Sequence, residues 1–129
     1  MHQTYETPEA PLPIGPYSQA IRAGNLIFFS GQIPLSPETG ELAGTDLASQ
    51  TSQILANLQA VLKAVNCSTS DIVKTTVFMT DLGDFAEFNR IYAKWMGSHK
   101  PARSTVQVSA LPKGALIEIE AIVVKESDR

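Results

Sequence analysis

An arginine near the start of one strand-like segment and two glutamates inside another are the residues of this chain best suited to act on a small molecule. Arg103 stands in Pro101-Ala102-Arg103-Ser104-Thr105-Val106, and the glutamates in Ile117-Glu118-Ile119-Glu120-Ala121, with the loop Leu111-Pro112-Lys113-Gly114 between them. A guanidinium is a planar fork that takes a carboxylate through two parallel hydrogen bonds, which the point charge of lysine does not reproduce. That chemistry suits a small organic acid. Glu118 has apolar neighbours, so a cleft around it would desolvate the carboxyl, raise its pKa and let it exchange protons near neutrality. A plainer reading has Arg103 paired with Glu118 or Glu120 as a structural bridge, and both glutamates on the wet face of an edge strand. Spacing alone favours the plainer reading. Tyr17, Ser30 and Asn89 are single weak signals, because packing, strand-end hydrogen bonding and helix solvation are their commoner uses.

Other chemistries are poorly supported. The chain has no glycine-rich phosphate loop, no GxSxG elbow and no HExxH. His2 and His99 have no ligand spacing to each other or to Cys67, so no metal site is expected. Cys67 follows the end of a long helical pattern, where the dipole disfavours a thiolate, and it reads as a half-buried thiol. Ten Lys+Arg against thirteen Asp+Glu give a net charge of −3 without a basic run, so nucleic acid is not an expected partner. A single cysteine excludes an internal disulfide, and the polar start Met1-His2-Gln3-Thr4 lacks a signal-peptide core, which together point to a reducing, cytoplasmic setting. The longest apolar run, Leu26-Ile27-Phe28-Phe29, falls far short of the roughly 20 residues of a membrane span, and no membrane association is expected.

These side chains must be positioned by a small fold. At 129 residues, 43% hydrophobic and 18% charged, the chain reads as one domain, 1–129. Pro8, Pro11, Pro13 and Pro16 make residues 1–16 an extended N-terminal arm. Tyr17–Arg22 and Leu26–Ser30 flank the turn tripeptide Ala23-Gly24-Asn25 and predict a hairpin. Consecutive apolar residues at 26–29 predict a central strand covered on both faces. Residues 34–45 read as a loop with a short strand near Glu41-Leu42. Asp46 can cap a helix whose stripe is Ile54, Leu58, Val61, Leu62 and Val65, ended by Asn66 in a left-handed conformation. The β-branched run from Ile72 predicts a strand reaching about Thr80. Asp84, with Glu87 three positions on, predicts the cap of a second helix carrying Phe85, Phe88, Ile91, Tyr92, Trp95 and Met96 and ending at Gly97. Val106 and Val108, then Leu116–Val124, predict the last two strands.

The order β-β-α-β-α-β-β describes an α+β layer, one mixed sheet with two helices packed on one face. Two helices leave the other face bare. Yet the last strand is apolar on both parities, with Ile117, Ile119, Ala121 and Val123 on one and Ile122 and Val124 on the other. A bare apolar face predicts a homo-oligomer that closes it.

Pro101-Ala102-Arg103-Ser104 and Ile117-Glu118-Ile119-Glu120-Ala121-Ile122 together closely resemble the C-terminal signature of the Rid (RidA/YjgF) family. Gly15-Pro16-Tyr17-Ser18-Gln19-Ala20, Leu26–Pro34 and Phe85-Ala86-Glu87-Phe88-Asn89 resemble the same family, in its order and at its spacing. The resemblance implies a chorismate-mutase-like fold, a homotrimeric barrel with clefts between subunits. It implies hydrolysis of 2-imino acids and their enamines, such as 2-iminopropanoate and 2-iminobutanoate, to 2-oxo acids and ammonia, without a cofactor. By position, Arg103 would hold the substrate carboxylate and Glu118 would orient water and move protons. Tyr17, Ser30, Gly31, Asn89 and Thr105 would line the pocket, Tyr17 reaching in from a neighbouring subunit. Many members have cysteine where this chain has Thr105, so thiol reactivity does not carry over. Family-like proteins without imine activity leave a second expectation, a non-catalytic trimer that binds or senses small carboxylates.

Overall fold

Most elements of the chain answer to a local pattern. The structure, a computed structural model, describes residues 2–126; Met1 and residues 127–129, the ends of the expected 1–129 domain, lie outside them. The elements are β1 (His2–Tyr5), β2 (Ala20–Ala23), β3 (Leu26–Gln32), α1 (Leu47–Ala64), β4 (Ile72–Met79), α2 (Phe85–Met96), β5 (Ala102–Gln107) and β6 (Ile117–Val124). The strands form one mixed sheet in the order β1-β2-β3-β6-β4-β5. Only β4 and β5 run parallel, and α2 makes the crossover that parallel neighbours require. The expected α+β layer, with two helices against the sheet, is therefore present.

The helices behave as their periodicity requires. Asp46 caps α1, its carboxylate accepting from Ser49 N at 3.0 Å, which also lowers its pKa. Asn66 closes the helix with φ 57°, and Gly97 ends α2 with φ 72°. Lys125, buried at the end of β6, donates from Nζ to Val65 O at 3.0 Å and so ties that strand to the carbonyl end of α1. Asp84 does not cap α2 through its side chain. Asp81 instead accepts from Gly83 N at 2.8 Å and starts a single 3₁₀ turn, Leu82–Asp84, that runs into the helix. A chain already turning has fewer orphan donors to cap.

Several strand limits differ from the sequence reading. The arm contributes β1, which pairs with β2 at the sheet edge. Its residues, His-Gln-Thr-Tyr, are nearly all exposed and carry no alternation, so no pattern marks it. β2 begins at Ala20, not Tyr17, and β5 begins at Ala102 and ends at Gln107, leaving Val108 outside it. β3 does lie inside the sheet, yet Leu26 and Phe28 are 39% and 40% exposed, so only one of its faces is covered within the chain. The short pairing near Glu41-Leu42 is present as Leu35 opposite Leu42.

The core lies between the helices and one face of the sheet. Ile27, Phe29, Val77, Met79, Ile117, Ile119 and Val123 from the strands meet Ile54, Leu58, Val61, Leu62 and Phe88 from the helices. Buried amides then fix the loops that leave this core. Gln19, 2% exposed, accepts from Thr7 N at 2.7 Å and donates to Thr7 O at 3.1 Å and Pro11 O at 2.8 Å, folding the arm against β2. Gln50 of α1 accepts from Leu116 N at 2.8 Å, setting the entry to β6. Among the described residues no helix is long and apolar enough to cross a membrane.

Gln19→Leu keeps the volume and strands the Thr7 N–H and the carbonyls of Thr7, Ala10 and Pro11. We expect a loss of about 2 kcal/mol in urea unfolding, with earlier protease cleavage in the arm. An unchanged midpoint would show that water replaces the amide.

Candidate functional site

The pleat of the sheet decides where each candidate side chain points. Cross-strand partners share a face, and the register aligns Arg103 with Thr75 and Ala121, and Glu118 with Phe78 and Val106. Thr75 faces the helices, its Oγ1 lying 2.7 Å from the Tyr92 hydroxyl of α2. Arg103 therefore points to the helix side. Ile117 and Ile119 are fully buried beneath the helices, so Glu118 and Glu120 point to the opposite, open face. One chain holds its two principal candidates on opposite sides of its own sheet.

Arg103 lies over an aromatic bed. Its guanidinium carbon is 5.0 Å from the ring centre of Tyr92, 5.5 Å from Phe85 and 5.6 Å from Phe88. These rings recur at helical spacing along one stripe of α2, and their faces attract a cation without using its N–H donors. No carboxylate or carbonyl among the described residues takes those donors. Burial pushes the Tyr92 phenol up, while the Thr75 hydrogen bond and the charge of Arg103 pull the other way, so Tyr92 stays neutral beside the cation. Two cavities meet at Arg103. One, of about 410 Å³, is lined by Asn89, Tyr92, Met96, His99 and Lys100 among others; the second, of about 470 Å³, by Leu82, Phe85 and Thr105.

The other residues gather on the open face. Tyr17, Ser30, Gly31, Glu118 and Glu120 line a cavity of about 420 Å³, walled by Ile14, Ile33 and Pro112. Ser30 donates from Oγ to Ser18 O at 2.6 Å and from its backbone N to Gln19 O at 3.0 Å, which holds the Tyr17 loop at the cavity rim. Tyr17 is half exposed, its hydroxyl accepting a long 3.4 Å bond from Ile14 N. Desolvation raises the pKa of Glu118, and the charge of Glu120 raises it further. Gly31 makes room for that carboxyl: a Cβ there would fall on the Glu118 carboxylate, 2.8 Å from Cδ.

The structural bridge between Arg103 and either glutamate is thus overturned, since the sheet stands between them. Neither does the chain alone assemble the full candidate set. It divides the set into Arg103, Asn89 and Thr105 on one side and Glu118, Tyr17, Ser30 and Gly31 on the other. Tyr17 shares its cavity with Glu118 of the same chain, so a neighbour could contribute it only to the Arg103 side.

The sequence model of the family described as endoribonuclease L-PSP matches residues 7–125. The chain belongs to this family, the Rid proteins. The Escherichia coli protein named 2-iminobutanoate/2-iminopropanoate deaminase is 48% identical over 128 residues, 97% of this chain and 99% of its own. A RutC family protein of Pyrococcus horikoshii is 52% identical over 126 residues, 98% of this chain and all of its own. The crystal structure of E. coli TdcF with bound serine superposes with a TM-score of 0.90 at 45% identity, covering 95% of this chain and 98% of that one.

Membership in the Rid family does not explain every feature of the site. The aromatic bed beneath Arg103 and the amides of Gln19 and Gln50 are not singled out by sequence reasoning. The bed has a legible signal, since Phe85, Phe88 and Tyr92 fall at steps of three and four, but such a stripe reads first as core. Thr105 holds a further surprise. Its Oγ1 is buried and lacks a hydrogen-bond partner among the described residues, although the residue lines the cavity beside Arg103. An unpaired buried hydroxyl is costly, so Thr105→Val is expected to stabilise the protein by about 1 kcal/mol in denaturant unfolding. A lowered midpoint would show that the hydroxyl finds its partner in the assembled protein.

Proposed function

We propose that this Rid protein hydrolyses small 2-imino acids to 2-oxo acids and ammonia, in clefts formed where copies of the chain meet. The observation that carries this reading is Arg103: a half-buried guanidinium with no hydrogen-bond partner among the described residues, opening onto cavities of substrate size. Serine bound to TdcF is an α-amino acid with the carboxylate such a fork would take. The deaminase name of the E. coli relative supplies the reaction class.

The division of the candidate set supports an oligomer, and a homotrimer is the form that the family resemblance implies for it. Arg103 and Glu118 serve one substrate only if the helix side of one copy meets the open face of another, and that open face carries the exposed Leu26, Phe28 and Val106. A chorismate-mutase-like barrel, with the open faces turned inward and three clefts at the seams, satisfies both demands.

In such a cleft Arg103 holds the carboxylate and fixes the imine carbon. Tyr17, Ser30, Gly31, Asn89 and Thr105 line the walls. Water adds to the C=N carbon and the nitrogen takes a proton; the resulting carbinolamine loses its hydroxyl proton as the C–N bond breaks and ammonia leaves. Glu118, with its raised pKa, relays those protons. Orientation and proton transfer together supply roughly 10²- to 10⁴-fold over water, enough for a substrate that already hydrolyses unaided. No covalent nucleophile and no cofactor enter this scheme. The endoribonuclease description of the family finds little support here: two carboxylates line the Glu118 cavity, and the chain has a net charge of −3.

A threonine dehydratase that releases the imine provides the test. Catalytic amounts of the protein should accelerate appearance of 2-oxobutanoate. Arg103→Ala should abolish the effect with the oligomer intact, and Arg103→Lys, which keeps charge without the fork, should cost roughly tenfold or more. Tight 2-oxo acid binding with no acceleration would replace turnover by carboxylate sensing.

A further inference from the structure

We infer that Glu120 is a positioning residue for the proton on Glu118, acting through its charge across the shared cavity. The inference rests on the proposed imine hydrolysis for its meaning, but its geometry stands apart from it. Glu118 and Glu120 are two apart on β6, so they point the same way and their Cα atoms lie roughly 7 Å apart. Both line the cavity that holds Tyr17, Ser30 and Gly31. Two carboxyls in one cavity divide their protons unequally when their surroundings differ. Here they do: Glu118 is half-buried and Glu120 exposed.

Within one chain, the described groups packed around the pair give Glu118 no compensating cation. The β3 bulge presents Ser30 and Gly31, while β4 presents Phe78 opposite Glu118 and Thr76 opposite Glu120. The flanking loops present Tyr17, Ile14 and Pro112. The cation these strands add to this face is Lys74, one pair beyond Thr76 and opposite Ile122, and its Nζ donates to Ser104 Oγ at 3.0 Å. Glu120 is the better solvated acid, and its charge opposes loss of the proton from Glu118. The protonated form of Glu118 is the one that can hand a proton to the departing nitrogen.

Neutralising position 120 lowers the pKa of Glu118, and an activity that needs protonated Glu118 then begins to fall at lower pH. The shift should be roughly 0.5 to 1.5 pH units, the smaller figure for a fully wet cavity and the larger for one closed by a neighbouring subunit.

The test follows the Glu118 side-chain carboxyl by carbon-detected NMR through a pH titration of the full-length protein, with Glu118→Gln identifying the resonance. Glu120→Gln should move the Glu118 midpoint down by that amount. Glu120→Asp, which restores the charge, should return it most of the way. In the dehydratase-coupled assay, the alkaline fall in kcat/KM should move with the NMR midpoint. An unmoved midpoint in Glu120→Gln overturns the inference, as does an equal drop in Glu120→Asp. A midpoint that moves in a protein that accelerates no imine hydrolysis supports the coupling and removes the reaction, so the two claims fail separately.

Discussion

A β-sheet is a partition. Because side chains alternate across the pleat, a functional pair drawn from two strands of one sheet is either on one face or divided by the backbone, and a shift of one residue exchanges the outcomes. In this chain the partition falls between Arg103 and Glu118. The register of β4 with both β5 and β6 sets it: Thr75 carries Arg103 to the helix side, and Phe78 carries Glu118 to the open one. A cation and a carboxylate kept apart this way cannot neutralise each other. Each remains available to a ligand, and the proposed meeting of two copies would bring the two together. The proposed assembly and the lack of a salt bridge between Arg103 and Glu118 within the chain thus both answer to one alternation.

The Arg103 side of the partition solves a second problem. A half-buried cation normally demands a counter-ion, which would occupy the fork. Three ring faces attract the charge in its place and leave the N–H donors free. Tyr92 holds its place in that bed because its hydroxyl meets Thr75 Oγ1, one strand over from Arg103 itself. The arginine, its floor and the tie to that floor therefore come from β5, α2 and β4, three consecutive elements of the chain. Holding the fork ready in this way reduces the reorganisation that binding would otherwise require.

Much of this architecture is legible in the amino-acid sequence, and the parts that are not have identifiable reasons. Helix α1 is visible because its apolar residues recur at helical steps after a capping aspartate. The two-faced β6 is visible because its apolar residues occur on both parities. Strand β1 is not, since an edge strand exposed on nearly all its residues has no hydrophobic pattern to show. The sequence motif assigns the cap of α2 to Asp84, but a preceding 3₁₀ turn moves the capping role to Asp81. The residue types of the candidate site are recognisable, while their division between two faces is not. That division depends on which strands pair and in what register, and β6 inserts between β3 and β4 although it comes last in the chain.

The same dependence on register explains why glycine stands at position 31. Along β3 the buried positions are Ile27, Phe29 and then Gln32, so the alternation slips once. The slip is a bulge: three residue steps along β3, from Phe29 to Gln32, match only two along β6, from Ala121 to Ile119. Ser30 and Gly31 consequently sit side by side next to the glutamates instead of one on each face. A side chain at 31 would occupy the space that the Glu118 carboxyl fills, and its removal leaves a slot shaped by backbone. The depth of that slot sets how far the carboxyl withdraws from water. Since desolvation is the leading cause of its raised pKa, a bulge in one strand and a missing Cβ govern the acidity of a residue on the next.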